Sequence, residues 1–404
     1  MLERIKAFVL SVFRFIRNLL LIIILMVLSL FFFLAGTITD RVKNVRELPS
    51  DTPLPVSEEA RRLHSKLVIA DWHADNLLWD RDPLKKLDRG HVDIPRLIDG
   101  GYTLQVFDAV IKTPRGLNYS RNVGRSDNIT LLAMANRWPV TTWFDLSNRA
   151  LHQSKILHRA ADQSSSLTLI KSKEDLEIFL KIRKSNSNVV GGLLSIEGLH
   201  ALEGDISNLE AFYDAGYRMM GLVHFFDNEV GGSSAGVEQG GLTPFGKVVV
   251  QQMNDRSIII DLAHASDKLF EETIKFSTKP IVVSHTGVRG THESPRNLSD
   301  DQLRMVADGG GMVGIGFWEE AAGSTSVEAI VASIRHAVKV MGIDHVGLGS
   351  DFDGATTTLF DASQIVLLTD GLLRSGFTEE EVKKIMGGNQ IRFLIDNLPN
   401  DRDY

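Results

Sequence analysis

The chain has 404 residues, of which 43% are apolar and 24% charged, enough to build a large core. A net charge of −7, with no Lys/Arg-rich tract, argues against nonspecific nucleic-acid binding. There is no cysteine, so disulfides, thiolate metal sites and a cysteine nucleophile are excluded.

The first element is apolar. Residues 18–39 carry no charge, and their centre reads LLLIIILMVLSLFFFL. As a helix they would span roughly 33 Å, about one hydrocarbon thickness. Arg4, Lys6, Arg14 and Arg17 precede this span, which predicts a cytoplasmic N-terminus and export of the remainder. A cleaved signal peptide is the competing reading, but the apolar run is long for one and the exit AGTITD lacks a small-x-small site. The expected organisation is a basic cytoplasmic N-terminus (1–17), a single-pass transmembrane signal anchor (18–39), a linker with Pro49, Pro53 and Pro55 (40–65), and one globular domain (66–404). That domain would lie on the extracytoplasmic side, which is the periplasm in a bacterium.

Eight short β-like runs follow: 66–73, 102–111, 189–198, 217–226, 257–266, 279–287, 311–318 and 345–354. Amphipathic, helix-like stretches separate them. Near-continuous apolar strands alternating with helices predict a parallel sheet covered on its outer face. Eight such units predict an α/β fold of the (β/α)8 TIM-barrel type, with an open doubly wound sheet as the alternative. Residues 112–188 form the longest connection and could cover the barrel mouth. The run Gly309-Gly310-Gly311 precedes a strand rather than a helix, so it is not read as a phosphate cradle.

Six of the eight runs end in nitrogen or oxygen ligand types: His73 and Asp75, Glu197, His224, His264, His285, and Asp351 with Asp353. A lone strand-end histidine is more often a core or surface residue, and a lone Asp or Glu often caps the next helix. Together they have a simpler explanation, because a barrel brings all its C-terminal strand ends to one face. Imidazoles and carboxylates without thiolates suit hard or borderline cations, and two cations about 3.5–4 Å apart would use most of the set. His91-x-Asp93 repeats the His-x-Asp spacing, but Ile94-Pro95 follows it, so Asp93 reads as a helix N-cap and the pair is assigned no metal. His152, His158 and His336 fall in helix-like patterns and read as surface or packing residues; His292 is unassigned.

The ordered motifs DWHAD, VDIPRL, SIEGLHAL, VHFFDNEVGGSSAG, IDLAHAS, VVSHTGVR, ESPRNLSD, GLGSDFDG and GGNQIRFL resemble those of the membrane dipeptidases, the renal dipeptidase-like metallopeptidases of family M19. The resemblance covers nearly all of 66–395. It implies a barrel of the metal-dependent hydrolase type with two Zn2+ per subunit: His73 and Asp75 on one, His264 and His285 on the other, and Glu197 bridging. It also assigns His224 to the substrate carbonyl, Arg296 to the substrate's terminal carboxylate, and Asp351 to proton handling. The implied activity is hydrolysis of dipeptides, including those with a C-terminal D-residue, by a hydroxide bridging the metals, in a membrane-anchored enzyme. Manganese or cobalt would fit the same ligands. A related hydrolase acting on N-acyl amino acids or lactones is the alternative, with a non-catalytic binding barrel behind it. Any homodimer would lack the disulfide of the animal enzymes. Departures from the family pattern, namely Trp72, Ala74, Val223 and the Gly/Ser-rich GGSSAGVEQ segment, leave the ligands intact and bear on substrate preference.

Overall fold

The computed structural model of the chain describes residues 1–400. At its centre eight parallel strands close into a barrel: β1 (Ile69–Ala74), β2 (Tyr102–Val110), β3 (Val190–Glu197), β4 (Tyr217–Gly221), β5 (Ile259–Asp261), β6 (Val282–Thr286), β7 (Met312–Ile315) and β8 (Val346–Leu348). Each pairs with its successor, and β8 returns to β1 where Leu348 meets Asp71. Every residue of these strands is buried. That double burial is why they read as apolar runs rather than as an alternating pattern.

The covering helices are built from amphipathic sequence with explicit stops. Val327–Met341 turns Val327, Ile330, Val331, Ile334, Ala337 and Met341 inward, an i, i+3, i+4, i+7 stripe. The Ser326 side chain accepts from the Ala329 N–H at its start, and Gly342, at φ 86°, ends it. Each fully buried Ile or Leu on that stripe contributes about 1.5–3 kcal/mol by leaving water. Asp300–Asp308 opens on a complete capping box between Ser299 and Gln302. The long connection after β2 holds helices Ile129–Ala135, Leu146–Gln163 and Lys173–Ser185, together with a short strand, Leu167–Leu169, that pairs with the start of β3. The sequence pattern does not predict that strand, since three residues are too few to show a period.

The N-terminal helix runs from Leu2 to Lys43, with one π-helical turn at Phe31–Ala35, and is long and apolar enough to cross a membrane. Its last two turns lie against the barrel. Gly36 packs on Asn136, and Asp40 is buried, accepting from Arg89 Nε at 2.8 Å with Arg81 Nε at 3.4 Å. Asn44 Nδ2 donates to Asp40 Oδ1 at 2.8 Å, and its Oδ1 accepts from the Ala355 N–H at 3.0 Å.

Residues 40–65, expected as a linker, are fastened along their length. Val45–Arg46 pairs with Thr357–Thr358, Arg46 reaches Asp361 at 2.8 Å, and Ser57 caps Glu58–His64 while donating to Asp370 Oδ1 at 2.8 Å. Those partners lie some 300 residues away, where no local pattern reveals them. Replacing Asp40 with alanine would remove a charge-assisted hydrogen bond from the half-buried Arg89 and a second carboxylate from Arg81, which keeps Asp353, a loss of about 1.5–3 kcal/mol. Denaturant unfolding of the full chain in detergent should therefore show a clearly lowered midpoint, whereas an unchanged midpoint would show that the contact carries no stability.

Candidate metal centre

Parallel closure puts all the C-terminal strand ends on one rim, and that rim gathers the predicted residues. His73 lies within β1 with Asp75 just beyond it; Glu197 ends β3; His285 lies within β6. His224, His264 and Asp351 each sit three residues past the ends of β4, β5 and β8. All are buried. Glu197 Oε1 lies 3.0 Å from His264 Nε2, 3.5 Å from His285 Nε2 and 3.8 Å from His73 Nε2, while its Oε2 is 3.1 Å from His224 Nε2. His73 Nε2 is also 3.2 Å from Asp75 Oδ1 and 3.8 Å from Asp351 Oδ1.

Local backbone makes this approach feasible. Gly198, at φ 94°, follows Glu197; a Cβ there would come within 2.5 Å of the His200 ring and 3.1 Å of His224 Cβ. A Cβ on Gly354 would lie 1.9 Å from Asp351 Oδ1. His264, Asp351 and Asp353 hold left-handed backbones at φ 64°, 58° and 67°. Such conformations cost of order 1 kcal/mol each in a non-glycine residue and collect at functional sites.

Three residues behind the rim, Ser284, Asp261 and Asp108, which the sequence reading did not single out, orient its rings. Ser284 Oγ donates to Asp261 Oδ2 at 2.5 Å and lies 2.8 Å from His285 Nδ1. With its hydroxyl proton committed to Asp261, Ser284 accepts from Nδ1–H, and His285 Nε2 is left with a free lone pair. Asp108 Oδ2, 3.3 Å from His73 Nδ1, stands on the far side of that ring in the same relation. Carboxylate–imidazole pairs of this kind fix ligand rings in metal sites. Asp71 accepts from the Ser350 N–H at 2.9 Å and also from the Ser350 hydroxyl. The available signal was a carboxylate inside an apolar strand, at Asp71, Asp108 and Asp261.

Without a cation, these groups share their space only by holding protons. Burial pushes the Glu197 and Asp351 carboxyls well above their usual range, and Asp75 adds to both shifts. Burial disfavours a charged His73, but Asp75 and Asp108 outweigh it and hold a proton on the ring. Burial holds His224, His264 and His285 well below their usual values, as neutral rings. His73 Nε2 and Asp75 Oδ1 are buried without a hydrogen-bond partner among the described residues. Three groupings, His73/Asp75/Glu197, Glu197/His224/His264 and His73/His285/Asp351, converge closely enough to hold an ion. Neutral imidazoles beside crowded carboxylates are the donor set a divalent cation compensates, so the residues fit a metal.

Arg296 is buried and donates to the His285 carbonyl at 2.7 Å, with its guanidinium over the Trp318 ring at 5.8 Å. No ion pair among the described residues involves it, and its Nε is unpartnered. Tyr119, from the long connection, lies near Asp351 and Arg296; burial first, then Asp351, push its phenol up to about 12. Phe225 stands 5.7 Å from Tyr119.

His91 and Asp93 are not on the rim. Asp93 caps Ile94–Asp99 by accepting from the Arg96 N–H at 2.8 Å. The buried His91 accepts from the Asp353 N–H at 3.0 Å through Nδ1 and meets the Val45 carbonyl at 3.1 Å through Nε2. Asp353 in turn accepts from the backbone N–H of His91 and Val92 and pairs with Arg81 at 2.7 Å. His152 packs against Trp138 with the rings tilted by 53°, His158 meets the Ala215 carbonyl at 3.0 Å, and His336 meets Asp300 at 2.6 Å.

A closed parallel barrel with this rim defines a metal-dependent hydrolase of the α/β-barrel class. The family model for membrane dipeptidase (peptidase family M19) matches residues 57–398, and the chain belongs to that family: it is a metallopeptidase and a dipeptidase. It is 28% identical over 350 residues to dipeptidase verJ of Clonostachys rogersoniana, covering 82% of this chain and 88% of that one. It is 30% identical over 344 residues to dipeptidase tcpJ of Claviceps purpurea, covering 82% and 74%. A Rhodobacter sphaeroides metallo peptidase, solved with a phosphinate mimic of the dipeptide L-Ala-D-Ala, superposes with a TM-score of 0.66 at 25% identity, over 82% of this chain and 99% of that one.

Asp353 holds the turn that carries Asp351 but does not face the rim, so it is a positioning residue. Asp353→Asn should lower kcat about tenfold with little change in KM, since a charge-assisted pair of about 1.5–3 kcal/mol is weakened away from substrate. A KM rise at constant kcat would instead place it among the binding groups.

Proposed function

We propose that this chain is a membrane-anchored dipeptidase with a binuclear zinc centre, in which His73 and Asp75 hold one ion, His264 and His285 the other, and Glu197 bridges them. The observation that carries this reading is the Glu197 carboxylate, which lies within 3.8 Å of ring nitrogens from His73, His264 and His285, carried at the C-terminal ends of three different strands. Two ions held there would lower the pKa of a shared water from its bulk value towards about 7.

The remaining roles belong to the chain. Asp351, made more basic by burial than an exposed carboxylate, takes the water's proton and returns it to the leaving nitrogen. His224, a neutral ring at the edge of the cluster, donates to the scissile carbonyl oxygen as its charge grows. Arg296 offers a fork to the substrate's C-terminal carboxylate, which a buried guanidinium without a carboxylate partner is suited to bind. Reading a free C-terminus favours short peptides over proteins. The relative bound to an L-Ala-D-Ala mimic supports acceptance of a C-terminal D-residue. The apolar helix, preceded by Arg4, Lys6, Arg14 and Arg17, supports a cytoplasmic N-terminus with the barrel on the other side.

Full-length protein should cleave Gly-D-Ala and L-Ala-L-Ala, lose that activity to a chelator and regain it with zinc. Glu197→Gln should lower kcat by about 100-fold or more and reduce bound metal, in line with the loss of a ligand or its support. Arg296→Lys should mainly raise KM. Full activity in a folded Glu197→Gln protein would sink the bridge; two bound metals with no dipeptide cleavage would move the substrate to another amide or ester.

A further inference from the structure

The surface formed by residues 115–144 is apolar and basic in a chain that is acidic as a whole. Leu117, Val123, Leu131, Val140 and Phe144 are exposed, Val140 by 70% and Phe144 by 75%. Arg115, Arg121, Arg125 and Arg137 are exposed beside them. The patch is a built surface. Thr130 Oγ1 donates to the Trp143 carbonyl at 3.1 Å, which ties the helix that carries Leu131 to the segment that carries Phe144. The buried Arg149 ties Thr130, Trp143 and Asp127 together.

The same segment grips the N-terminal helix, and it does so inside the apolar run. Arg137 donates to the Phe32 carbonyl and lies over the Phe33 ring at 5.5 Å, and Asn136 meets Gly36 one turn later. A hydrocarbon core takes about 20 helical residues, roughly 30 Å. Counting forward by that length from Asn18, just past the last charge of the N-terminus, ends at Thr37, one turn beyond Phe33. Phe33 and Arg137 therefore stand within about one turn of where hydrocarbon gives way to headgroups. A flat bilayer surface at that height meets whatever the segment exposes on the same side.

We propose that the exposed apolar and basic surface of residues 115–144 rests in the headgroup layer of the bilayer that holds the N-terminal helix; this rests on reading that helix as a membrane anchor. Val140 and Phe144 insert among the acyl-chain ends, and Arg115, Arg121 and Arg125 meet lipid phosphates, while Arg137 stays with the Phe32 carbonyl and with Asp80 at 2.6 Å. Because Tyr119 in this segment lies 5.7 Å from Phe225, whose ring is 4.8 Å from that of His264, the barrel mouth opens close to the membrane surface.

The chain has no cysteine, so single cysteines carry a label uniquely. Val140→Cys and Phe144→Cys, each labelled with an environment-sensitive fluorophore, are compared with Ile178→Cys and Phe276→Cys, which are exposed on other helices. Leu25→Cys reports the anchor. The full chain is reconstituted at one copy per nanodisc with anionic lipid, which excludes shielding by a second copy, and dipeptide hydrolysis confirms folding. Labels at 140 and 144 are expected to be quenched by an aqueous quencher severalfold less than those at 178 and 276. Equal quenching at all four sites with Leu25→Cys protected would overturn the surface proposal and leave the anchor standing. Quenching at Leu25→Cys as well would overturn the anchor and this proposal with it.

Discussion

The seam between the first and last barrel strands is the contact on which the site depends. Asp71 accepts from both the backbone and the hydroxyl of Ser350, whose Oγ lies 3.1 Å from the His73 carbonyl. The bond closes the cylinder, joining residues 279 positions apart. It also sets the spacing between His73 and Asp351, two and one residues further along their chains. A barrel left open here would keep most of its core and lose its rim.

Closure then creates an electrostatic problem that shapes everything above the seam. Glu197, Asp75, Asp108 and Asp351 crowd around three neutral imidazoles in a space with little water. Their self-repulsion is tolerable only with positive charge among them, whether a proton on His73 or a bound cation. The same crowding leaves Arg296, among the described residues, as a fixed cation facing the cluster and still able to take a new anion. Metal affinity, substrate polarity and backbone strain at His264 and Asp351 follow from forcing these groups together.

Much of this was legible in the chain. Eight apolar runs marked eight strands because double burial removes the alternation that would otherwise confuse strand with loop. The rim histidines and carboxylates stood out because each interrupts an apolar run at its end. Asp71, Asp108 and Asp261 were missed because they sit inside the runs, where a carboxylate has no local explanation until its serine or histidine partner is known. Leu167–Leu169 and the Val45–Arg46 ribbon were too short for periodicity. Residues 40–65 misled for a different reason: a Pro-rich, polar stretch has the composition of a tether, and only partners near residues 355–370 show that it is docked.

That docking removes a degree of freedom. A loose tether of 25 residues would let the barrel wander over roughly 25–30 Å and tumble at will. With Asp40 clamped by Arg81 and Arg89, and Asn44 bonded to Ala355 beside the turn that carries Asp351, helix and barrel move as one body. For a helix that anchors the chain in a bilayer, the mouth is then carried at one height and tilt instead of sweeping through many.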